Sequence, residues 1–158
     1  MYHQIVARKI RSIFASISGG DYEPMLKALA PEFVYRFEGD TSIGGERRTL
    51  PAMRAWWERM YRLFPSLSFD VRDVIVNGSP WNTRAATYLK FRTPLPDGRV
   101  YENDVVQIVH LRWGRVTYVH TIEDSLRCAQ KLQLLAQRGV EEALAPAIRD
   151  DMFVAGAA

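Results

Sequence analysis

Residues 100–123, VYENDVVQIVHLRWGRVTYVHTIE, carry the strongest structural signal in the chain. β-Branched and aromatic residues dominate two runs, 100–112 and 116–123, and alternate with a period of two, which is typical of β-strands. Trp113 and Gly114 separate the runs and suit a tight hairpin turn. The stretch therefore predicts two neighbouring antiparallel strands.

Two earlier runs, 67–77 and 83–93, show the same period and composition. The breaks at 77–80 and 94–98 are rich in Asn, Gly and Pro, which favour turns. Because short breaks join consecutive runs, the four strands are predicted to form an antiparallel meander.

Helical periodicity marks three longer segments. Apolar residues recur at helical spacing over 4–18, 50–64 and 125–137, and Asp124 or Ser125 can cap the last helix. Helices on one face of a long curved sheet make an α+β fold.

Shorter elements fill the rest of the chain. Asp21 can cap a short second helix, a strand is predicted at 33–37, and a polar loop follows that strand. Arg47 and Arg48 in this loop are expected to lie in solvent. Residues 139–158 form a C-terminal extension, which could cap one end of the fold or trail in solvent.

Apolar residues occupy the central positions on both faces of the predicted strand 100–112. One side carries Tyr101, Asn103, Val105, Gln107, Val109 and Leu111, and the other Glu102, Asp104, Val106, Ile108, His110 and Arg112. A sheet with one solvated face alternates more cleanly, so we expect the second face to be buried in a two-fold homodimer. Tyr118, His120 and Ile122 would share this outer face if a one-residue bulge follows the turn at Gly114.

Composition limits the classes of protein. The 158 residues are 47% hydrophobic and 25% charged, which fits one globular domain over 1–158 with its core at about 4–137. A single cysteine, Cys128, excludes an internal disulfide framework and a thiolate zinc cluster. A net charge of +3 is too small for nucleic-acid binding, and no apolar run predicts a secretory signal or a membrane span. A cytoplasmic location is the resulting expectation.

Several local motifs, in this order along the chain, are similar to the nuclear transport factor 2-like superfamily. They are Ser18-Gly-Gly-Asp21, Leu29-Ala-Pro-Glu-Phe-Val-Tyr35, Tyr101-Glu-Asn103, Trp113-Gly-Arg-Val116 and the following Asp124. The superfamily includes ketosteroid isomerases, limonene epoxide hydrolases, scytalone dehydratases and SnoaL-type polyketide cyclases. The resemblance, which spans about 4–137, implies a cone-shaped half-barrel of mainly antiparallel sheet around N-terminal helices. It also implies a small apolar ligand and a homodimer.

The chain lacks the catalytic residues of two mechanisms that occur in this superfamily. Where ketosteroid isomerases place a tyrosine acid, a carboxylate base and a protonated acid, the chain has Ile13, Phe37 and about Gln107. None of these three can act as a general base.

Limonene epoxide hydrolases use an Asp-Arg-Asp relay and a tyrosine. Tyr35 matches the tyrosine, but Tyr88, Lys90 and Thr121 occupy the relay positions. Activation of water by paired carboxylates is therefore not predicted.

The same register predicts an apolar pocket with a few polar groups. Its inward residues are Tyr35, Phe37, Tyr88, Lys90, Tyr101, Asn103, Gln107 and Thr121, under a roof of Trp56 or Trp57 and Met60. The tyrosine hydroxyls could bind a ligand carbonyl or hydroxyl, or could find backbone partners. The Asn103 and Gln107 amides could serve a ligand or the structure.

Two residues are candidates for proton transfer. An inward Lys90 would have a lowered pKa and could act as a base, although a lysine on a strand commonly reaches solvent. His120 is predicted on the outer face, but a one-residue slip would turn it inward beside Asp104 or Asp124.

These patterns predict a cofactor-free isomerase, dehydratase or cyclase that acts on a hydrophobic carbonyl or hydroxyl compound. The alternative is a non-catalytic ligand-binding or protein-interaction module. No His and carboxylate spacing predicts a metal site, and no glycine-rich loop predicts phosphate binding.

Overall fold

A computed structural model describes residues 1–95 and 97–154 and has the predicted α+β fold. The helices are α1 (Tyr2–Ser18), α2 (Glu23–Ala28), α3 (Leu50–Leu63) and α4 (Ser125–Gln137). The strands are β1 (Leu29–Phe37), β2 (Gly45–Arg47), β3 (Ser68–Ser79), β4 (Asn82–Pro94), β5 (Val100–Arg112) and β6 (Arg115–Glu123). Two 3-10 helices follow α4, at Glu141–Leu144 and Asp150–Phe153.

The six strands form one open, curved sheet in the order β2-β1-β6-β5-β4-β3. Strands β3 to β6 pair antiparallel in sequence order, which confirms the meander. Among the strands of the described residues, β1 and β6 are the one parallel pair. The predicted mainly antiparallel sheet is therefore confirmed.

The turn between β5 and β6 sets which side chains face the helices. Trp113 and Gly114 both have positive φ, 52° and 74°, as a two-residue hairpin turn with right-handed strand twist requires. Leu111 then pairs with Val116, but His110 pairs with Tyr118, so Thr117 is the extra residue of a bulge. Because of this bulge, the odd-numbered side chains from Val119 onward face inward.

The core lies between the helices and the inner face of the sheet. Helix α1 buries Val6, Ile10, Phe14 and Ile17, one side chain per turn. Helix α3 buries Trp56 and Trp57, whose rings meet edge to face with centroids 4.7 Å apart. The two tryptophans therefore occupy adjoining parts of one core.

Strand β4 corrects the predicted orientation of Tyr88 and Lys90. Leu89 and Phe91 are buried on the inner face, whereas Tyr88 is 42% exposed on the outer face. Lys90 also points outward and pairs with Asp104, which lies directly opposite on β5, at 3.1 Å. The prediction was wrong because a one-residue difference in register exchanges the two faces of a strand.

The C-terminal extension packs onto the segment that follows β1. The expectation that Arg47 lies in solvent was wrong. This side chain is fully buried, and its guanidinium donates to the carbonyls of Gly44, Gly45 and Ile148 at 2.9–3.3 Å. The guanidinium carbon also lies 5.0 Å from the centroid of the Trp56 ring. Arg48 is exposed, as expected.

In the part of the chain that the structure describes, no helix is both long and apolar enough to cross a membrane.

Candidate functional site

A cavity of about 70 Å³ lies between the inner face of the sheet and helices α1 and α3. Its wall is mostly aliphatic and aromatic. Eight residues predicted for the pocket line it, namely Tyr35, Phe37, Trp56, Trp57, Met60, Tyr101, Gln107 and Thr121. The volume suffices for roughly five water molecules at about 10–15 Å³ each.

Polar groups converge on one side of this cavity. The Gln107 amide on β5 donates to the Thr121 hydroxyl, which lies directly opposite on β6, at 3.0 Å. Burial raises the pKa of Tyr35 to about 12, although the charge of Arg47 opposes the shift. The Tyr35 hydroxyl therefore stays protonated at neutral pH and can donate a hydrogen bond.

Tyr101 is the second phenol of the cavity wall. Burial also raises its pKa well above the usual range, so it too is a neutral donor.

Asn103 faces inward as predicted but does not line the cavity. Its amide nitrogen lies 3.3 Å from the Tyr101 hydroxyl and 3.0 Å from Glu123 Oε2, and it also donates to the Asp124 carbonyl. Asn103 thus holds Tyr101 and Glu123 in place, which favours a structural role over ligand contact.

Glu123 lines the cavity with a carboxyl group that the sequence analysis missed. It ends β6 on the inner face, two residues after Thr121, and the next residue caps α4 by accepting from Arg127 N at 3.0 Å. Alternation along β6 could have predicted that Glu123 faces inward, because Val119, Thr121 and Glu123 are alternate residues. Glu123 was not included in the predicted pocket because it is the last residue of the strand, next to the capping Asp124.

The surroundings of Glu123 favour its neutral form. Burial raises its pKa to about 7, and the nearby Cys128 thiol and the Asn103 amide oppose the shift. A carboxyl with this pKa exchanges protons readily at neutral pH, which suits a general acid or base.

Two polar atoms of the cavity-lining residues lack partners. Trp57 Nε1 and Glu123 Oε1 are buried and make no hydrogen bond to any residue that the structure describes. One is a donor and the other an acceptor when ionised. Since buried polar groups are usually paired, a ligand with an acceptor and a donor would complete this lining.

The two other candidates for proton transfer lie outside the cavity. Lys90 is paired with Asp104, as described above, and His120 Nε2 contacts Glu38 Oε2 at 2.7 Å on the outer face. His120 is therefore where its primary prediction placed it, and the inward alternative is not adopted. No cluster of three or more potential metal-ligating His, Cys, Asp or Glu side chains occurs among residues 1–95 and 97–154.

A family model described as the SnoaL-like domain matches residues 10–119. The chain belongs to this family. The match confirms the superfamily that the sequence motifs resembled. It covers the second half of α1, helices α2 and α3, and most of the sheet.

Several solved structures share the fold. PrhC from Penicillium brasilianum has a TM-score of 0.76 at 16% identity, over 91% of this chain and 96% of its own. Wild-type IdmH from Streptomyces antibioticus, described as a candidate polyketide cyclase, has a TM-score of 0.64 at 23% identity, over 85% and 98%. TerC, co-crystallised with polyporic acid, has a TM-score of 0.68 at 16% identity, over 80% and 97%.

None of the curated proteins compared with the chain matches it significantly.

Proposed function

We propose that this SnoaL-like protein binds a small apolar molecule with a carbonyl or hydroxyl group and moves a proton on it without a cofactor. The reaction would be an isomerisation, a dehydration or a cyclisation. The observation that carries the proposal is the Glu123 carboxyl, which lines a mostly apolar cavity and has a pKa of about 7.

The cavity provides the groups that such a proton transfer needs. Ionised Glu123 takes a proton from the carbon next to a ligand carbonyl, and the electron pair of the C–H bond moves onto the carbonyl oxygen. The neutral Tyr35 and Tyr101 hydroxyls are the available donors to that oxygen. Protonated Glu123 then returns the proton to another carbon or to a departing hydroxyl.

The spacing on the inner face agrees with this assignment. Thr121 and Glu123 are alternate residues of β6 and so lie about 7 Å apart along the strand. A ring carbonyl bound near Gln107 and Thr121 would thus present its neighbouring carbons toward Glu123.

Related structures support the proposed class of reaction. IdmH is described as a candidate polyketide cyclase, and TerC was crystallised with a small-molecule ligand.

Hydrogen–deuterium exchange on an apolar ketone tests proton abstraction directly. With 2-tetralone in D₂O, NMR should show faster loss of the protons next to the carbonyl with the wild-type protein than with buffer. Glu123→Gln should lower the exchange rate at least 100-fold, the usual contribution of a general base. Glu102→Gln removes an exposed carboxylate from β5 and should leave the rate unchanged.

Equal rates for wild type and Glu123→Gln would refute the role of Glu123. Binding of 2-tetralone with exchange no faster than in buffer would instead identify the alternative, a ligand-binding module without catalysis.

We also infer that the protein is a homodimer that buries the outer face of the sheet. Tyr88, Val106 and Ile122 form one exposed row across β4, β5 and β6, and Ile75 and Ile108 lie in the adjacent row. Exposed apolar patches of this kind mark protein interfaces.

A further inference from the structure

A second pocket, of about 190 Å³, adjoins the cavity across the ring of Tyr101, which lines both. Four cationic side chains surround it, Arg99, Arg127, Lys131 and Arg138, together with leucines of α4. We call it the basic pocket.

The charges of the basic pocket are only partly balanced. Asp97 lies 2.8 Å from Arg99 and 3.6 Å from Arg138, so one carboxylate serves two guanidinium groups. Within the described residues, Arg127 and Lys131 have no carboxylate oxygen within 4.0 Å. The pocket therefore has an excess of positive charge.

Lys131 is the unusual member of this group. It follows Arg127 by one helical turn, is only 5% exposed, and makes no hydrogen bond to another described residue. Its ammonium nitrogen lies 5.8 Å from the centroid of the Tyr101 ring. Burial, and then the charge of Arg138, lower the pKa of Lys131. The buried stem thus holds the ammonium at the pocket, where it has no carboxylate partner among the described residues, and an anion would be a favourable partner for it.

The basic pocket is also connected to the proposed acid–base group. The Asn103 amide nitrogen lies 3.3 Å from the Tyr101 hydroxyl and 3.0 Å from Glu123 Oε2. Tyr101 is the shared wall, with Lys131 lining the basic pocket and Glu123 lining the cavity, so a molecule that occupies both would lie against its ring.

We propose that the basic pocket binds an anionic group, a carboxylate or a phosphate, on the same apolar substrate whose reacting carbon lies beside Glu123. This inference rests on the proposed function and narrows it to acidic substrates. Arg127 and Lys131 contact the anion, and the ring of Tyr101 packs against the part of the substrate that joins its two ends.

Calorimetric titration with three matched probes tests the inference. 2-Naphthoate and 2-naphthyl phosphate carry an anion on the same rings as the neutral 2-acetonaphthone. The wild-type protein should bind at least one anionic probe about tenfold more tightly than the ketone, and the preferred anion identifies the group. Lys131→Met should abolish this preference, and Lys131→Arg should retain most of it.

Two controls accompany the titration. Arg84→Met removes an exposed cation from the outer face of β4 and should change no affinity. Thermal unfolding should show that Lys131→Met folds, since methionine keeps the packing of the buried stem.

The outcomes separate the two proposals. Equal affinities for all three probes, unaffected by Lys131→Met, would overturn the anion site and leave the proposed function standing. Lys131-dependent binding of an anionic probe, with neither ketone binding nor exchange of 2-tetralone, would support the anion site and overturn the proposed function. Absence of any binding would overturn both.

Discussion

Glu123 couples the chemistry of the cavity to the stability of the fold. Its carboxyl has a pKa of about 7 in the folded protein, against an ordinary value of 4.5. The folded state thus binds more protons than the unfolded state between these two values. Because the pKa of Glu123 is higher in the folded than in the unfolded state, its contribution to the free energy of unfolding is fully present below about pH 4.5. This contribution is lost as the pH rises through 7.

This shift predicts a measurable dependence on pH. From pH 5 to pH 8, Glu123 alone should lower the free energy of unfolding by on the order of 3 kcal/mol, because the slope of 1.36 kcal/mol per pH unit holds up to about pH 7 and levels off above it. Urea unfolding at several pH values measures the slope. Glu123→Gln mimics the neutral acid and should reduce the slope, whereas the surface variant Glu102→Gln should keep it.

A slope that is the same in wild type and Glu123→Gln would show that Glu123 titrates normally. In that case the carboxyl would lack the environment on which the proposed proton transfer depends.

The alternation of residues along β4 and β5 predicts only in part which side chains line the cavity. Alternation alone leaves the phase of β5 open, because Val106 and Ile108 on one side match Val105 and Val109 on the other, and the structure shows that the side with Gln107 faces the cavity. On β4 the inner face carries Thr83, Ala85 and Thr87, whereas the larger Tyr88 lies outside. The size of the residues therefore does not predict which side of β4 faces inward, although Leu89 and Phe91 lie on the inner face.

The docking of the C-terminal extension is a property of whole elements. Helix α3 has no side-chain cap of its own, and Asp150, about a hundred residues later, binds the chain where the helix begins. Its carboxylate accepts from Arg48 N, Thr49 N and the Thr49 hydroxyl at 2.8–3.0 Å. The carboxylate also complements the positive end of the helix dipole.

Removing this carboxylate should weaken the start of α3. Asp150→Ala is expected to lower the free energy of unfolding by about 1 kcal/mol, the usual cost of losing a capping group. Asp151→Ala is the matched control, since Asp151 forms an exposed ion pair with Arg149 that contributes little. Urea unfolding of both variants measures the difference, and equal losses would contradict the capping role.

The sequence predicted the helices well because the patterns that define them lie within each helix. Helix α4 has the predicted bounds and cap, and α3 differs by one residue at its C-terminal end, because periodicity and capping residues lie within each helix. Strand β2 has only three residues, and Arg47 is buried by contacts with Ile148, far away in sequence. No local signal encodes such a contact, which is why this arginine was expected in solvent.

At the scale of the whole molecule, the outer face of the sheet is arranged like an interface. The row of Tyr88, Val106 and Ile122 lies beside the row of Ile108 and His120. Beyond them are the Lys90 and Asp104 pair on one side and Arg84 with His110 on the other. An apolar centre with charged margins is the common composition of protein interfaces.

Placing one charge in this centre should therefore separate the protomers. In a two-fold dimer each substitution is present twice, so Ile108→Asp introduces two carboxylates that would lose water on association. Sedimentation velocity should show a wild-type dimer and an Ile108→Asp monomer at the same concentration. Leu126→Asp, at an exposed apolar position on α4, should remain dimeric.

The monomeric variant also separates the two faces of the sheet. The cavity is lined from the inner face of a single chain, so Ile108→Asp should keep its affinity for 2-tetralone if the protomer still folds. Circular dichroism checks the folding. A wild-type protein that sediments as a monomer, or an Ile108→Asp variant that stays dimeric, would place the exposed rows outside any interface. Loss of ketone binding by a folded monomer would show instead that the cavity depends on the second copy.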